Sequence, residues 1–155
     1  MKRQFKSIRI LTFFFCSFNL VALVGCSVIF LPAYNAQLSN QIDITSKAVD
    51  LFYSSMLDST TTTNEGRAYS KFSDQYLTIE ADLNSLLTKN TIRPLNANST
   101  RICQITLQLW MKYKEEHKKS NTLSDGIIKL NQKTFNDLFN AMQVVEKGKA
   151  MLNSL

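Results

Sequence analysis

The residues with most chemical potential sit in one short run, Lys112 to Lys119, which holds Glu115, Glu116 and the chain's single histidine, His117. A histidine beside carboxylates suits a general base or a metal ligand, because its imidazole changes charge near neutral pH. The spacing argues against both roles. Glu115 and Glu116 are adjacent, so on a helix they diverge by about 100° and cannot share a proton. At four-residue spacing Lys112 pairs with Glu116 and Glu115 with Lys119. His117 has no second ligand on its own helix, and a haem role shared with Met56, Met111, Met142 or Met151 lacks the Cys-x-x-Cys-His attachment motif. The run reads as a solvated helix end. His117 is expected on its surface, and replacing His117, Glu115 and Glu116 together is expected to leave folding intact. Lys112, Lys118 and Lys119 form a candidate partner surface for a protein or for the headgroups of an anionic membrane.

Elsewhere the chain offers no nucleophile elbow, phosphate loop or zinc spacing. Neither an enzyme nor a bound cofactor or metal is expected. The cysteines are Cys16, Cys26 and Cys103, too few and too scattered for a disulfide framework. Cys103 is expected as a buried small hydrophobe, with an intermolecular disulfide as the alternative.

The first 26 residues carry the clearest signal. Lys2, Arg3, Lys6 and Arg9 precede an apolar run from Ile10 to Val24, the arrangement of a secretory signal. It ends in Leu23-Val24-Gly25-Cys26, which resembles the lipobox of bacterial lipoprotein precursors. The resemblance implies cleavage between Gly25 and Cys26 and acylation of the Cys26 thiol, with Leu23, Val24 and Gly25 as the cleavage flank. It divides the chain into a signal peptide (1–25), a tether (26–35) and a mature domain (36–155). It also implies a lipid anchor facing the periplasm or cell exterior; Ser27 after the cysteine is similar to an outer-membrane sorting signal where the host has two membranes. An alternative remains. The apolar character continues through Val28, Ile29, Phe30 and Leu31, and about 20 such residues suffice to span a bilayer as an uncleaved signal anchor.

The formal charge of +6 is concentrated in that leader. Beyond residue 25 the chain has 14 basic and 12 acidic side chains, no footprint for nucleic acid. Four glycines and two prolines leave few breaks, which favours long helices.

Four amphipathic stretches follow. From Ala36 to Leu57, Leu38, Ile42, Thr45, Val49, Phe52 and Met56 recur at three- and four-residue steps, with Ile44, Ala48 and Leu51 widening the stripe and Asp43 placed to pair with Lys47. Ser59 to Asn64 reads as a loop. From Glu65 to Lys89, Tyr69, Phe72, Tyr76, Ile79, Leu83 and Leu86 form one seam, stopped by Pro94. From Asn98 to Lys119, Ile102, Ile105, Leu109 and Tyr113 point inward with Cys103, Leu107 and Trp110 beside them. Thr122 and Asp125 then suggest a capping box opening a last helix to Met151, with Ile128, Phe135, Leu138, Met142 and Val145 inward. The expected fold is all-α: a four-helix up-down-up-down bundle after an N-terminal signal or anchor helix.

Together these readings imply a membrane-anchored, non-catalytic helical interaction module that binds another envelope protein as an assembly accessory, chaperone or exclusion factor. A helical module that binds a small ligand between its helices is the alternative.

Overall fold

A computed structural model describes residues 32–58 and 65–152, which belong to one compact unit. The readings made on the leader, on Leu23, Val24, Gly25 and Cys26, and on the Ser59–Asn64 loop lie outside the described residues.

The fold is an all-helical four-helix bundle. Helix α1 spans Ala36–Asp58, α2 Ser73–Thr91, α3 Ala97–Ser120 and α4 Asp125–Leu152, with a short 3-10 turn at Tyr69–Lys71 ahead of α2. Each helix packs on two neighbours: α1 on α4 and α2, α3 on α2 and α4. The links of residues 92–96 and 121–124 are too short for anything but antiparallel neighbours. One end of the bundle therefore gathers the start of α1, the α2–α3 link and the end of α4. The other gathers the end of α1, the approach to α2 and the α3–α4 link.

The seams of α1 and α2 follow the expected register. Leu38, Ile42, Thr45, Val49, Phe52 and Met56 are buried, as are Phe72, Tyr76, Ile79, Leu83 and Leu86. Ile44 and Leu51 do not widen the α1 stripe; they are 55% and 68% exposed. Tyr69 falls in the 3-10 turn and is half-buried, because the chain turns through Glu65 (φ 53°) and Arg67 before α2 begins.

In α3 the buried face is rotated by about one residue from the apolar pattern, while in α4 Ile128, Phe135 and Met142 are buried as expected and two of the five inward positions move by one residue. The inward positions of α3 are Ser99, Cys103, Thr106, Leu107, Trp110 and His117, and Ile102, Leu109 and Tyr113 are only partly buried. Those of α4 are Ile128, Asn131, Phe135, Phe139, Met142, Glu146 and Lys149, so Phe139 and Glu146 replace the expected Leu138 and Val145. Polar side chains occupy inward positions in both helices, which hid the register from a reading of apolar spacing alone.

The middle of the bundle is aromatic. Phe52 lies 4.6 Å from Tyr76 and 5.3 Å from Trp110, and Trp110 lies 5.4 Å from Phe135, all edge to face, the favoured geometry for ring quadrupoles. The Trp110 indole N–H donates to the Tyr76 carbonyl at 3.2 Å, so burying the ring leaves no orphan donor.

The α3–α4 link also differs from expectation. Asn121 takes a left-handed conformation (φ 58°) and its N–H closes on the His117 carbonyl at 2.7 Å, an asparagine stop for α3. Thr122 is not the cap of α4. The Ser124 hydroxyl accepts the Ile127 N–H at 3.4 Å, and Asp125 is drawn away to an arginine.

Candidate functional site

Two buried polar clusters close the two ends of the bundle. The first is built on Glu146 and Lys149, one turn apart on α4 and both nearly inaccessible to solvent. Arg93, from the α2–α3 link, grips the Glu146 carboxylate with both guanidinium nitrogens, each at 3.0 Å. Lys149 donates to Glu146 Oε2 at 2.7 Å, to Asn96 Oδ1 at 2.8 Å and to Ser99 Oγ at 3.0 Å. Asn96 in turn donates to the carbonyl and side-chain oxygen of Asn90, and Asn90 donates to the Leu86 carbonyl.

This cluster grips the chain that leads into the bundle. The Asn35 N–H donates to Glu146 Oε1 at 2.8 Å, and the Asn35 side-chain oxygen accepts the Leu38 N–H at 2.9 Å. Asn35 thus caps α1, while a carboxylate from α4 satisfies the amide that a glutamate three residues on would take in an ordinary capping box. Arg93 also donates to the Ala33 carbonyl. Burial pushes the Glu146 carboxyl upward, but Arg93, Lys149 and the Asn35 amide outweigh it and hold the group below the usual carboxylate range.

Cys103 sits beside this network, its thiol 3.3 Å from the Asn90 amide nitrogen and 4.0 Å from the Met142 sulfur. It is buried, as expected, and burial pushes its pKa up to about 11 despite the nearby Lys149. At that value the reactive thiolate is scarce at neutral pH, and a buried thiol is poorly placed for an intermolecular disulfide.

The second cluster overturns the surface reading of His117, which is fully buried. Its Nε2 lies 2.7 Å from the Arg67 carbonyl, which can only accept, so Nε2 carries the proton. Nδ1 is then the acceptor for the Tyr76 hydroxyl at 3.2 Å. With both nitrogens engaged, the ring is held as a neutral hydrogen-bond bridge between α3 and the approach to α2. Burial lowers its pKa, opposed by the hydrogen bond to Arg67. Arg67 is itself buried; it donates to the carbonyls of Met56 and Leu123 at 3.0 and 3.1 Å and to Asp125 at 2.6 Å. The hydrogen bond and charge of Arg67 hold Asp125 below the usual range.

The neighbours of His117 keep their expected places, although of the two expected pairs Glu115 with Lys119 is not formed among the described residues. Glu115 and Glu116 are exposed on α3, and Lys112 pairs with Glu116 at 3.7 Å across an exposed face. Lys118 and Lys119 are exposed on the last turn. The candidate partner surface of Lys112, Lys118 and Lys119 therefore lies on the end of the bundle opposite Asn35. Among the described residues no group of three or more His, Cys, Asp or Glu side chains could hold a metal ion, and no helix is long and apolar enough to cross a membrane.

Arg67, Arg93, Glu146 and Lys149 escaped the sequence reading. One signal was available: Ile128, Phe135, Met142 and Lys149 are spaced by seven, and Glu146 is seven from Phe139, so both charges lie on the buried register.

No family model, curated protein or solved structure matches the chain.

Proposed function

We propose that the chain is a membrane-anchored envelope lipoprotein, acylated at Cys26, whose bundle is a non-catalytic interaction module. The observation that carries the reading is Leu23-Val24-Gly25-Cys26 at the end of a basic-then-apolar leader. The buried clusters support the second half of the proposal. Their charged groups are matched to partners inside the protein, as in a scaffold that fixes a shape. The surface of Lys112, Lys118 and Lys119 is then presented away from the anchored end, to another envelope protein.

Metabolic labelling with a fatty-acid analogue tests the anchor. The wild type should be marked and Cys26→Ala should not. An unmarked wild type that still fractionates with membranes would replace the lipid by an uncleaved signal anchor. Co-purification after mild detergent extraction tests the module, and reversing the charge of Lys112, Lys118 and Lys119 together should release the partner without releasing the membrane.

The ligand-binding alternative has one observation in its favour. A groove of about 400 Å³ between α1 and α2 is lined by Ala48, Leu51, Phe52, Ser55, Gln75, Thr78 and Ile79. Uptake of an apolar dye that Leu51→Asp abolishes would support it.

A further inference from the structure

The end of the bundle that grips Ala33 and Asn35 differs in surface chemistry from the other end. Residues 33–42, 86–101 and 142–152, which form it, expose three basic side chains (Lys89, Arg101 and Lys147) and no acidic one, since Arg93, Glu146 and Lys149 are engaged in the buried cluster. The opposite end, residues 56–58, 65–74 and 112–125, holds six basic and six acidic side chains and is electrically balanced. Large apolar side chains are also left in solvent at the gripping end: Ile92 is 76% exposed, Leu95 63%, Tyr34 38% and Leu152 37%. Leu95 shows this most sharply. It holds a left-handed backbone (φ 59°), which costs a leucine about 1–2 kcal/mol, yet the side chain it directs outward buries little of itself.

We infer that this end of the bundle is an interfacial docking face for an anionic phospholipid bilayer. Ile92, Leu95 and Tyr34 enter the headgroup boundary, and Lys89, Arg101 and Lys147 lie over the phosphates. Exposed apolar residues beside basic ones bind such a surface by burying area and by electrostatic attraction together, and tyrosine favours that depth. The choice of a bilayer over a protein partner rests on the anchor proposed above. Seven steps along the chain lead from Cys26 to Ala33, a reach of at most about 25 Å when fully extended. A lipid on Cys26 thus keeps the gripping end close to the membrane, whereas α3, with 24 residues, carries Lys118 and Lys119 roughly 30 Å further along the bundle.

The test uses the full acylated chain in vesicles containing phosphatidylglycerol and lipids brominated on the acyl chain, which quench a fluorophore at membrane depth. Leu95→Cys and, in a separate protein, Ile92→Cys are labelled with an environment-sensitive dye; Lys118→Cys is the comparison. The buried Cys103 and the acylated Cys26 leave the new thiol as the reactive one. Quenching at positions 95 and 92 several-fold above that at 118, weakened when phosphatidylglycerol is replaced by a neutral lipid, is the expected result. Equal, weak quenching at all three positions in a chain that retains its helical circular dichroism would overturn the docking face. Fatty-acid labelling of the same preparation scores the anchor separately. Loss of that label removes the Cys26 proposal, while the quenching pattern still decides for or against the face.

Discussion

The two ends of the bundle solve the same problem with opposite chemistry. Both must bury polar groups where helices stop. At the end holding Asn35, charged groups do this: one carboxylate is shared between a guanidinium and an ammonium with little solvent in reach. At the other end a neutral imidazole bridges Tyr76 and a backbone carbonyl, and the one arginine ends on the exposed Asp125. A fully charged cluster is costly to break, because each member is left unscreened when a partner goes. A neutral bridge costs only its hydrogen bonds, but it responds to acid.

Breaking that contrast should give its largest effect at Glu146. Glu146→Ala leaves Arg93 and Lys149 facing each other in a buried site and should cost about 3–5 kcal/mol in urea denaturation, a large share of a small domain's stability. Replacing Glu146, Arg93 and Lys149 together by apolar residues of similar volume should cost less than the single change. If Glu146→Ala costs under about 1 kcal/mol, the value of a single ordinary hydrogen bond, the cluster does not hold the chain entry in place. Phe135→Ala, in the aromatic middle shared by both ends, should cost a comparable 3–5 kcal/mol or so.

His117 comes next. A neutral histidine with a depressed pKa contributes stability that is complete above its unfolded value of about 6.5 and is lost as pH falls from there towards the folded value. Glu146, also depressed, contributes stability present above the ordinary carboxylate range and lost only in stronger acid, as pH falls through its folded value. Unfolding midpoints measured against pH should therefore decline in two phases. His117→Gln should remove the first and lower stability at neutral pH by about 1–3 kcal/mol. A variant with the wild-type pH profile would show that the imidazole is not the titrating group. The triple replacement of His117, Glu115 and Glu116, harmless if all three were solvated, should now destabilise through His117 alone.

Thr45 lies between the ends, fully buried, with a hydroxyl that has no hydrogen-bond partner among the described residues. Thr45→Val keeps the shape and removes the orphan group. It should leave stability unchanged or raise it by about 1 kcal/mol. A loss would reveal a partner for the hydroxyl. The smallest effect belongs to the exposed surface: Lys118→Ala should stay within about 0.5 kcal/mol, whatever it does to a partner.

What the sequence determined by itself was the set of helices and the register of two of them. In α1 and α2 nearly every inward position is apolar, so the three-four spacing of Leu38 to Met56 and Phe72 to Leu86 selects one face without help from a partner. The resemblance at Leu23-Val24-Gly25-Cys26 rests on sequence alone, since those residues lie outside the described ones. In α3 and α4 the tertiary structure decided. Thr106, His117, Glu146 and Lys149 are inward because groups far along the chain meet them: His117 is 41 positions from Tyr76 and Glu146 is 53 from Arg93. A polar side chain read alone belongs in water, since burying it without a partner costs several kcal/mol. Only folding brings the partner that cancels that cost, so the identity of these sites and the one-residue turn of the α3 face came from the tertiary structure.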